Sequence, residues 1–268
     1  MKKNHLVTWE SGIMTKNKKF ALITGATTGM GEAFANYFAS AGINLYLHGR
    51  NSKKLSANAK TYQDKYHVEC KVIVKDLIED DASSFLIKEV TTPINYLVNN
   101  AGFGVAGKYQ DTDIEKQIAM QRVHVEVPMR LTHHFLKQDD QLQIINVASL
   151  YAFFPVPRQC IYAASKSMIH SFSLALYRDL IGTNKTVISV CPGLVYTQFR
   201  INQGKQEKKH FSGIWPKQVV EETLNALSKQ SPFIIPGRFN RIFKSLLTTL
   251  PTKVSLRIIE RVNTGRGY

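Results

Sequence analysis

Three side chains in one short stretch, from Ser149 to Lys166 (SLYAFFPVPRQCIYAASK), have the types and spacing to move a proton on a carbonyl or alcohol oxygen. Tyr162 and Lys166 are four residues apart, so on a helix they share a face and their chemistry couples. A phenol titrates near pH 10, too high for acid–base work at neutrality, but an adjacent ammonium favours the phenolate and draws that pKa toward the working range. Ser149 closes the apolar run QIINVAS, which reads as a strand, and its hydroxyl can hold a substrate oxygen while Tyr162 gives or takes the proton. A tyrosine four residues before a lysine is common on solvated helix faces. The pair gains its meaning from the serine upstream and from a glycine loop near the N-terminus.

That loop is strand, turn and helix in sequence. Phe20 to Thr24 is a short apolar strand, and Gly25-Ala-Thr-Thr-Gly29-Met-Gly31 leads into a helical pattern with Phe34, Tyr37 and Phe38 on one face. Glycines let a backbone turn tightly and approach a pyrophosphate, whose charge is met by free N–H groups and the positive end of the helix dipole. This places Gly25, Thr27, Thr28, Gly29, Met30 and Gly31 around a dinucleotide. Asn44 to Gly49 reads as the second strand. It ends without the acidic residue that would bind an unphosphorylated ribose, and Arg50 follows instead. A guanidinium there can form paired hydrogen bonds to a 2′-phosphate, so NADP(H) is preferred and NAD(H) stays possible; the plain alternative is a solvated loop arginine.

Further along, Ser52 to Tyr66 reads as a polar helix and Val68 to Val74 as a strand leading to Asp76-Leu77, where Asp76 suits either an adenine edge or a helix N-cap. Tyr96 to Asn99 is a strand that runs into Asn100, Ala101 and Gly102, at the strand end where open α/β sheets bind ligands. Asp113 to Leu136 is helical, with a kink expected at Pro128. Thr186 to Val190 is strand-like and opens into Cys191-Pro192-Gly193-Leu-Val195-Tyr-Thr197, a turn suited to wrap a nicotinamide. Gln198 to Trp215 reads as a lid or an ordinary surface loop, Val219 to Leu227 as a helix and Phe233 to Ile235 as a short strand.

Composition bounds the rest. At 268 residues and 44% hydrophobic content the chain suits one large α/β domain, and no apolar stretch approaches the roughly 20 residues of a membrane span. Cys70, Cys160 and Cys191 lack CxxC spacing, which suits a reducing cytoplasm and gives no metal site. Residues 1–18 read as an extension without signal-peptide character, and Met14 is an alternative start. The net charge of +15 attracts anions: a phosphorylated cofactor, a membrane surface or nucleic acid. No nucleic-acid-reading motif is present, so no nucleic-acid partner is expected. Residues 238–268 form a basic amphipathic tail: Phe239, Ile242, Phe243, Leu246, Leu247 and Leu250 follow helical spacing. Arg238, Arg241 and Lys244 lie off that stripe, and Lys253, Arg257, Arg261 and Arg266 continue the charge. Such a tail packs on its own domain, on a second subunit, or peripherally on an anionic membrane.

Four ordered motifs, TGATTGMG, NNAG, Ser149 with YAASK, and CPGLVYT, resemble the short-chain dehydrogenase/reductase family over roughly residues 20–237. The resemblance implies a Rossmann-type doubly wound parallel sheet in a single domain (19–237), with the tail as a C-terminal extension. It implies hydride transfer between a nicotinamide and a carbonyl or alcohol carbon. Tyr162 would be the acid in reduction, Ser149 would orient the carbonyl, and Lys166 would hold the nicotinamide ribose. One position departs: where the family carries an asparagine that helps hold a water on the lysine's proton path, this chain has His124. His124 is then either a fourth catalytic member with an altered relay or a space-filling residue, and the second case opens the alternative of a non-catalytic NADP sensor. Leu150, Phe153, Phe154, Val195, Phe199, Phe211 and Trp215 fit an apolar small-molecule substrate. The family also suggests a homodimer or homotetramer built on the helices around Asp113–Leu136 and Pro157–Leu180.

Overall fold

The computed structural model describes residues 18–138, 140–197 and 212–265. Seven parallel strands form one sheet: β1 (Phe20–Ile23), β2 (Asn44–Gly49), β3 (Cys70–Val74), β4 (Tyr96–Asn99), β5 (Leu142–Val147), β6 (Lys185–Val190) and β7 (Phe233–Ile234). Their spatial order is β3-β2-β1-β4-β5-β6-β7. Winding therefore reverses between β1 and β4, and that reversal opens a crevice at the strands' carboxyl ends. Central strands covered on both faces must be apolar throughout, which is why β1 reads FALI with every residue buried.

Helices cover both faces. On one, α1 (Gly29–Ser40) lays Phe34, Ala35 and Phe38 against Leu45 and Leu47 of the sheet, with α2 (Ser52–Tyr66) alongside. Asn51 caps α2 by accepting from the Lys54 N–H at 3.0 Å. On the other, α3 (Ala82–Glu89) and the long helical run from Ile114 to Phe135 pack Leu86, Val127 and Leu131 against Leu22 and Leu97. The N-cap reading of Asp76 would start a helix directly after it. The helix starts after Asp81, so Asp76 is not its N-cap.

The expected Pro128 kink takes a specific form. The run consists of α4 (Ile114–Gln121), a π-helical turn (Arg122–Glu126) and α5 (Val127–Phe135). A proline inside a helix clashes with the carbonyl four residues before it, here that of His124, and supplies no N–H. Widening the preceding turn relieves both, and the widened turn presents His124 to the interior.

After α6 (Cys160–Asp179) and β6, α7 (Pro216–Ser228) leads to β7 and then to the tail, which is two helices: α8 (Arg238–Thr249) and α9 (Thr252–Gly265). Their inner faces belong to the domain. Leu247 and Ile259 join Phe154 and Ile169 in a third apolar cluster at the crevice. The single stripe expected from sequence is divided, since Phe243 and Leu247 turn inward while Ile242 and Leu246 remain 59% and 61% exposed.

Candidate active site

Each catalytic candidate is placed by a helix start or a strand end. Ser149 follows β5 and caps a short 3-10 turn (Leu150–Phe153), its Oγ accepting from the Tyr151 N–H at 3.2 Å. The hydroxyl proton is thereby left to donate elsewhere. Tyr162 lies in the first turn of α6 and Lys166 one turn later. The Lys166 ammonium sits 5.9 Å from the Tyr162 ring centre and donates to the Val147 carbonyl at 2.9 Å. Burial lowers the Lys166 pKa to about 8, against a smaller opposing influence of Cys191. Ser149, Tyr162, Lys166 and His124 all line one cavity of about 320 Å³, which runs from the glycine loop to α9.

His124 is buried, with its ring edge-on to Tyr162 at 5.5 Å. Its Nε2 accepts from the Phe103 N–H at 3.3 Å. Its Nδ1 lies 3.0 Å from Ser165 Oγ, whose proton goes to the Tyr162 carbonyl at 2.8 Å. Ser165 therefore accepts from Nδ1–H, and the tautomer is set with both nitrogens engaged by protein. Burial, reinforced by the Lys166 charge, holds the His124 pKa well below the ordinary histidine value. A Cβ on Gly102 would stand 2.6 Å from Nε2, so glycine is what admits the imidazole against this loop.

The other end of the cavity is made from backbone. Gly25 and Gly29 have φ of 68° and 64°, the left-handed region where glycine is at ease. Thr28, at the N-cap of α1, makes no side-chain cap, so the first N–H groups of the helix face the crevice and suit a pyrophosphate. Asn100 ties this loop down, its Nδ2 donating to the carbonyls of Thr24 at 2.9 Å and Gly25 at 3.2 Å. His48 does the same from β2: Gly25 N–H donates to Nδ1 at 3.4 Å, and Nε2 donates to the Lys75 carbonyl at 3.0 Å. Arg50 lies 3.3 Å from Asp76, whose other oxygen accepts from the Ile78 N–H. Orphan N–H groups at a helix start beside a glycine-bracketed loop fit a dinucleotide.

Of the cofactor residues expected from sequence, all but Gly31 line the cavity, from Thr27 and Met30 through Leu77 and Ala101 to Pro192, Gly193, Val195 and Thr197. Gly31 serves packing instead, since a Cβ there would lie 2.1 Å from the Gly25 carbonyl oxygen. Among the expected substrate walls, Leu150, Phe154 and Val195 line the cavity. Phe153 does not; it packs on His170 and Phe233. Trp215 stands 58% exposed against Tyr196. Phe199, Phe211, Arg266, residues 1–17 of the expected 1–18 extension and most of the expected lid lie outside the described residues.

Sequence reasoning missed His48, Lys75, Gln159, Asn240 and Asn263, all of which line the cavity. The only signal was polarity at positions whose neighbours are apolar, as in NLYLHG for His48. Asn240 on α8 fits over Gly193, where a Cβ would meet its Oδ1 at 2.4 Å, so the tail braces the CPGLVYT turn.

Three buried histidines set an acid limit on the fold. Burial pushes His48 down to about 4, and it lowers His124 and His170 as well. Below about pH 6.5 the unfolded chain takes up protons that the folded chain refuses. Their contribution is complete above that pH and is lost as pH falls through each folded pKa, at ~1.4 kcal/mol per unit and per group. The urea midpoint is expected to drop between about pH 6.5 and 4.5. His48→Gln should flatten that drop, and an unchanged slope would exclude His48 as a contributor.

A doubly wound parallel sheet whose switch-point crevice meets a serine, a tyrosine and a lysine defines a dinucleotide-dependent oxidoreductase. The family model described as short chain dehydrogenase matches residues 19–208. A sulfoacetaldehyde reductase of Chromohalobacter salexigens is 34% identical over 185 residues, covering 67% of this chain and 73% of its own. A solved structure of a 7beta-hydroxysteroid dehydrogenase matches with a TM-score of 0.81 at 25% identity, covering 90% of this chain and 96% of that one. A short-chain dehydrogenase from Sphingobium yanoikuyae in complex with NADPH matches in fold, with a TM-score of 0.76 at 22% identity over 87% and 96% of the two chains. The chain belongs to the short-chain dehydrogenase/reductase family. It is an oxidoreductase that uses a nicotinamide cofactor and acts on CH–OH groups.

Proposed function

We propose that the enzyme is an NADP(H)-dependent reductase of mainly apolar carbonyl compounds, the corresponding alcohols being its products. The observation that carries this reading is the cavity itself: beyond Ser149 and Tyr162 it is walled by Leu150, Phe154, Phe243, Ile259 and Val262. Such walls favour an apolar substrate through burial of its surface. The substrates of the relatives, sulfoacetaldehyde and a hydroxysteroid, differ widely in size and polarity, so the walls of this chain carry the choice.

When bound, the nicotinamide supplies or accepts the hydride. Ser149 donates its hydroxyl to the substrate oxygen, and Tyr162 gives that oxygen its proton. The Lys166 ammonium stands beside the phenol and stabilises the negative charge the departing proton leaves. His124, with both nitrogens engaged, acts as a positioning residue that joins the 102–103 loop to α6. The direct test is NADPH oxidation with a panel of apolar ketones and aldehydes. Tight NADPH binding without turnover of any of them would favour the sensor reading instead.

The NADP(H) preference rests on Arg50, which is 70% exposed, lines the crevice and has one guanidinium nitrogen 3.3 Å from Asp76. A charge-assisted pair to a 2′-phosphate is worth about tenfold to a hundredfold in binding. Arg50→Ala is therefore expected to raise KM for NADPH by about that factor and to leave NADH use nearly unchanged. Equal effects on both cofactors would mark Arg50 as a solvated loop residue.

The outward face of α8, where Ile242 and Leu246 stand exposed between Arg238 and Lys253, supports peripheral contact with an anionic membrane. Exposed Ile114, Ile118 and Met168 support a second copy of the chain. Co-sedimentation with anionic vesicles and light scattering test the two.

A further inference from the structure

The substrate wall contains two side-chain amides that the chemistry above leaves unused. Gln159 immediately precedes α6, three residues before Tyr162, yet its side chain does not cap the helix. It is 4% exposed, and among the described residues its Nε2 has no hydrogen-bond partner. Asn263 lies near the end of α9 and is 1% exposed. Its Oδ1 accepts from the Tyr151 hydroxyl at 2.7 Å, while its Nδ2 has no partner among the described residues. Buried amide N–H groups are nearly always satisfied, because an unpaired one forfeits its hydration with nothing in return. Two in the lining of one cavity are a pattern to be explained.

Both amides line the cavity that holds Ser149 and Tyr162. Tyr151, which anchors Asn263, stands edge-on to Tyr162 with ring centres 6.3 Å apart, so this polar point lies one tyrosine away from the proton donor. The same cavity is lined by Phe154, Phe243, Ile259 and Val262. Among the described residues the cations of the cavity are Arg50, Lys75 and Lys166. The first two belong to the cofactor end and the third to the catalytic trio. A carboxylate facing only amides and hydrocarbon would be buried without a counter-charge, at a high desolvation cost. A neutral oxygen has no such penalty.

We infer that the substrate is a mainly apolar ketone or secondary alcohol carrying a second, neutral oxygen, a hydroxyl or carbonyl, that accepts from the Gln159 and Asn263 amides. The inference rests on the reductase reading and narrows it: the second oxygen fixes which carbon is presented to Ser149 and Tyr162. A site with buried donors discriminates strongly against analogues that leave those donors unpaired.

The test compares straight-chain methyl ketones with their terminal-hydroxyl and terminal-carboxylate counterparts across chain lengths, on the full chain and on Gln159→Met and Asn263→Leu. Two readouts are taken: kcat/KM with NADPH, and the shift in melting temperature with the oxidised cofactor present, which needs no turnover. At a matching chain length the hydroxy ketone is expected to exceed the plain ketone by about tenfold or more in kcat/KM and to give the larger thermal shift. In each variant both preferences should shrink to near parity. The variants lie on different elements, and a melting transition without ligand confirms that each is folded, so loss of one leaves the other to decide. No hydroxyl preference at any length, a preference kept in the folded variants, or a stronger preference for the carboxylate would overturn the inference. Failure of every ketone to oxidise NADPH would count against the reductase reading alone, since the thermal shifts still report on the amides.

Discussion

Tyr162→Phe is expected to lower kcat by about 10²–10⁴-fold, the range that a single general acid contributes, with NADPH affinity changed by no more than a small factor. The substitution is clean because the ring is held by contacts that phenylalanine keeps: edge-on to His124 at 5.5 Å and to Tyr151 at 6.3 Å, with the Lys166 ammonium 5.9 Å from its centre. Only the hydroxyl is removed. Lys166 keeps its bond to the Val147 carbonyl, and Ser149 keeps its place at the end of β5. Steady-state rates with NADPH, measured beside cofactor binding by fluorescence, separate loss of chemistry from loss of the site. A kcat within a few-fold of the parent would remove Tyr162 as the proton donor and turn attention to a solvent-borne proton.

The second large effect is expected from Gly31→Ala. The added methyl carbon would stand 2.1 Å from the Gly25 carbonyl oxygen and 2.6 Å from Asn100 Nδ2. The first obstacle is backbone and cannot swing aside, and the second is the amide that clamps the loop to β4. Relief requires α1 to move off the sheet, which carries Phe34 and Phe38 out of a close-packed cluster. A loss of about 3 kcal/mol is expected, at the upper end of overpacking effects, with NADPH binding weakened at least about tenfold. Gly42→Ala is the comparison. Among the described residues nothing lies within 4 Å of a Cβ there, so only its φ of 74° resists, at a cost of ~1 kcal/mol and with cofactor binding intact. Urea unfolding and NADPH titration of the two variants distinguish a packing glycine from a turn glycine. Equal losses would remove the special role of Gly31.

The cofactor half of the site was legible in sequence because it is built from residue types that the backbone demands. Left-handed turns call for glycine at positions 25 and 29, a tight helix approach calls for it at 31, and tyrosine and lysine four apart mark a helix face. These are local requirements, and local spacing reveals them. Pro128 announced a distortion, but not that a π-helical turn ahead of it would aim His124 inward, because that depends on what the helix packs against. The tail was harder still. Its basic residues suggested a surface helix, whereas Ser255, Ile259 and Asn263 recur every four residues as a buried face of mixed polarity. No hydrophobic period shows that Asn263 would meet Tyr151, because the two are 112 positions apart in the chain. The buried histidines were obscured in the same way, since His48 on β2 meets the Lys75 carbonyl and His170 on α6 meets the Ser189 hydroxyl of β6, both partners distant in the chain.

The place of α8 and α9 in the chain has a consequence for how the enzyme comes into being. Both helices follow every strand of the sheet, so during synthesis they leave the ribosome after the segments that form the nucleotide crevice. A nascent chain can thus possess its glycine loop, Arg50 and the serine–tyrosine–lysine trio before Asn240 braces Gly193 or Asn263 reaches Tyr151. The glycine loop is thus made first, and both the brace on the Gly193 turn and the far wall of the cavity are added last.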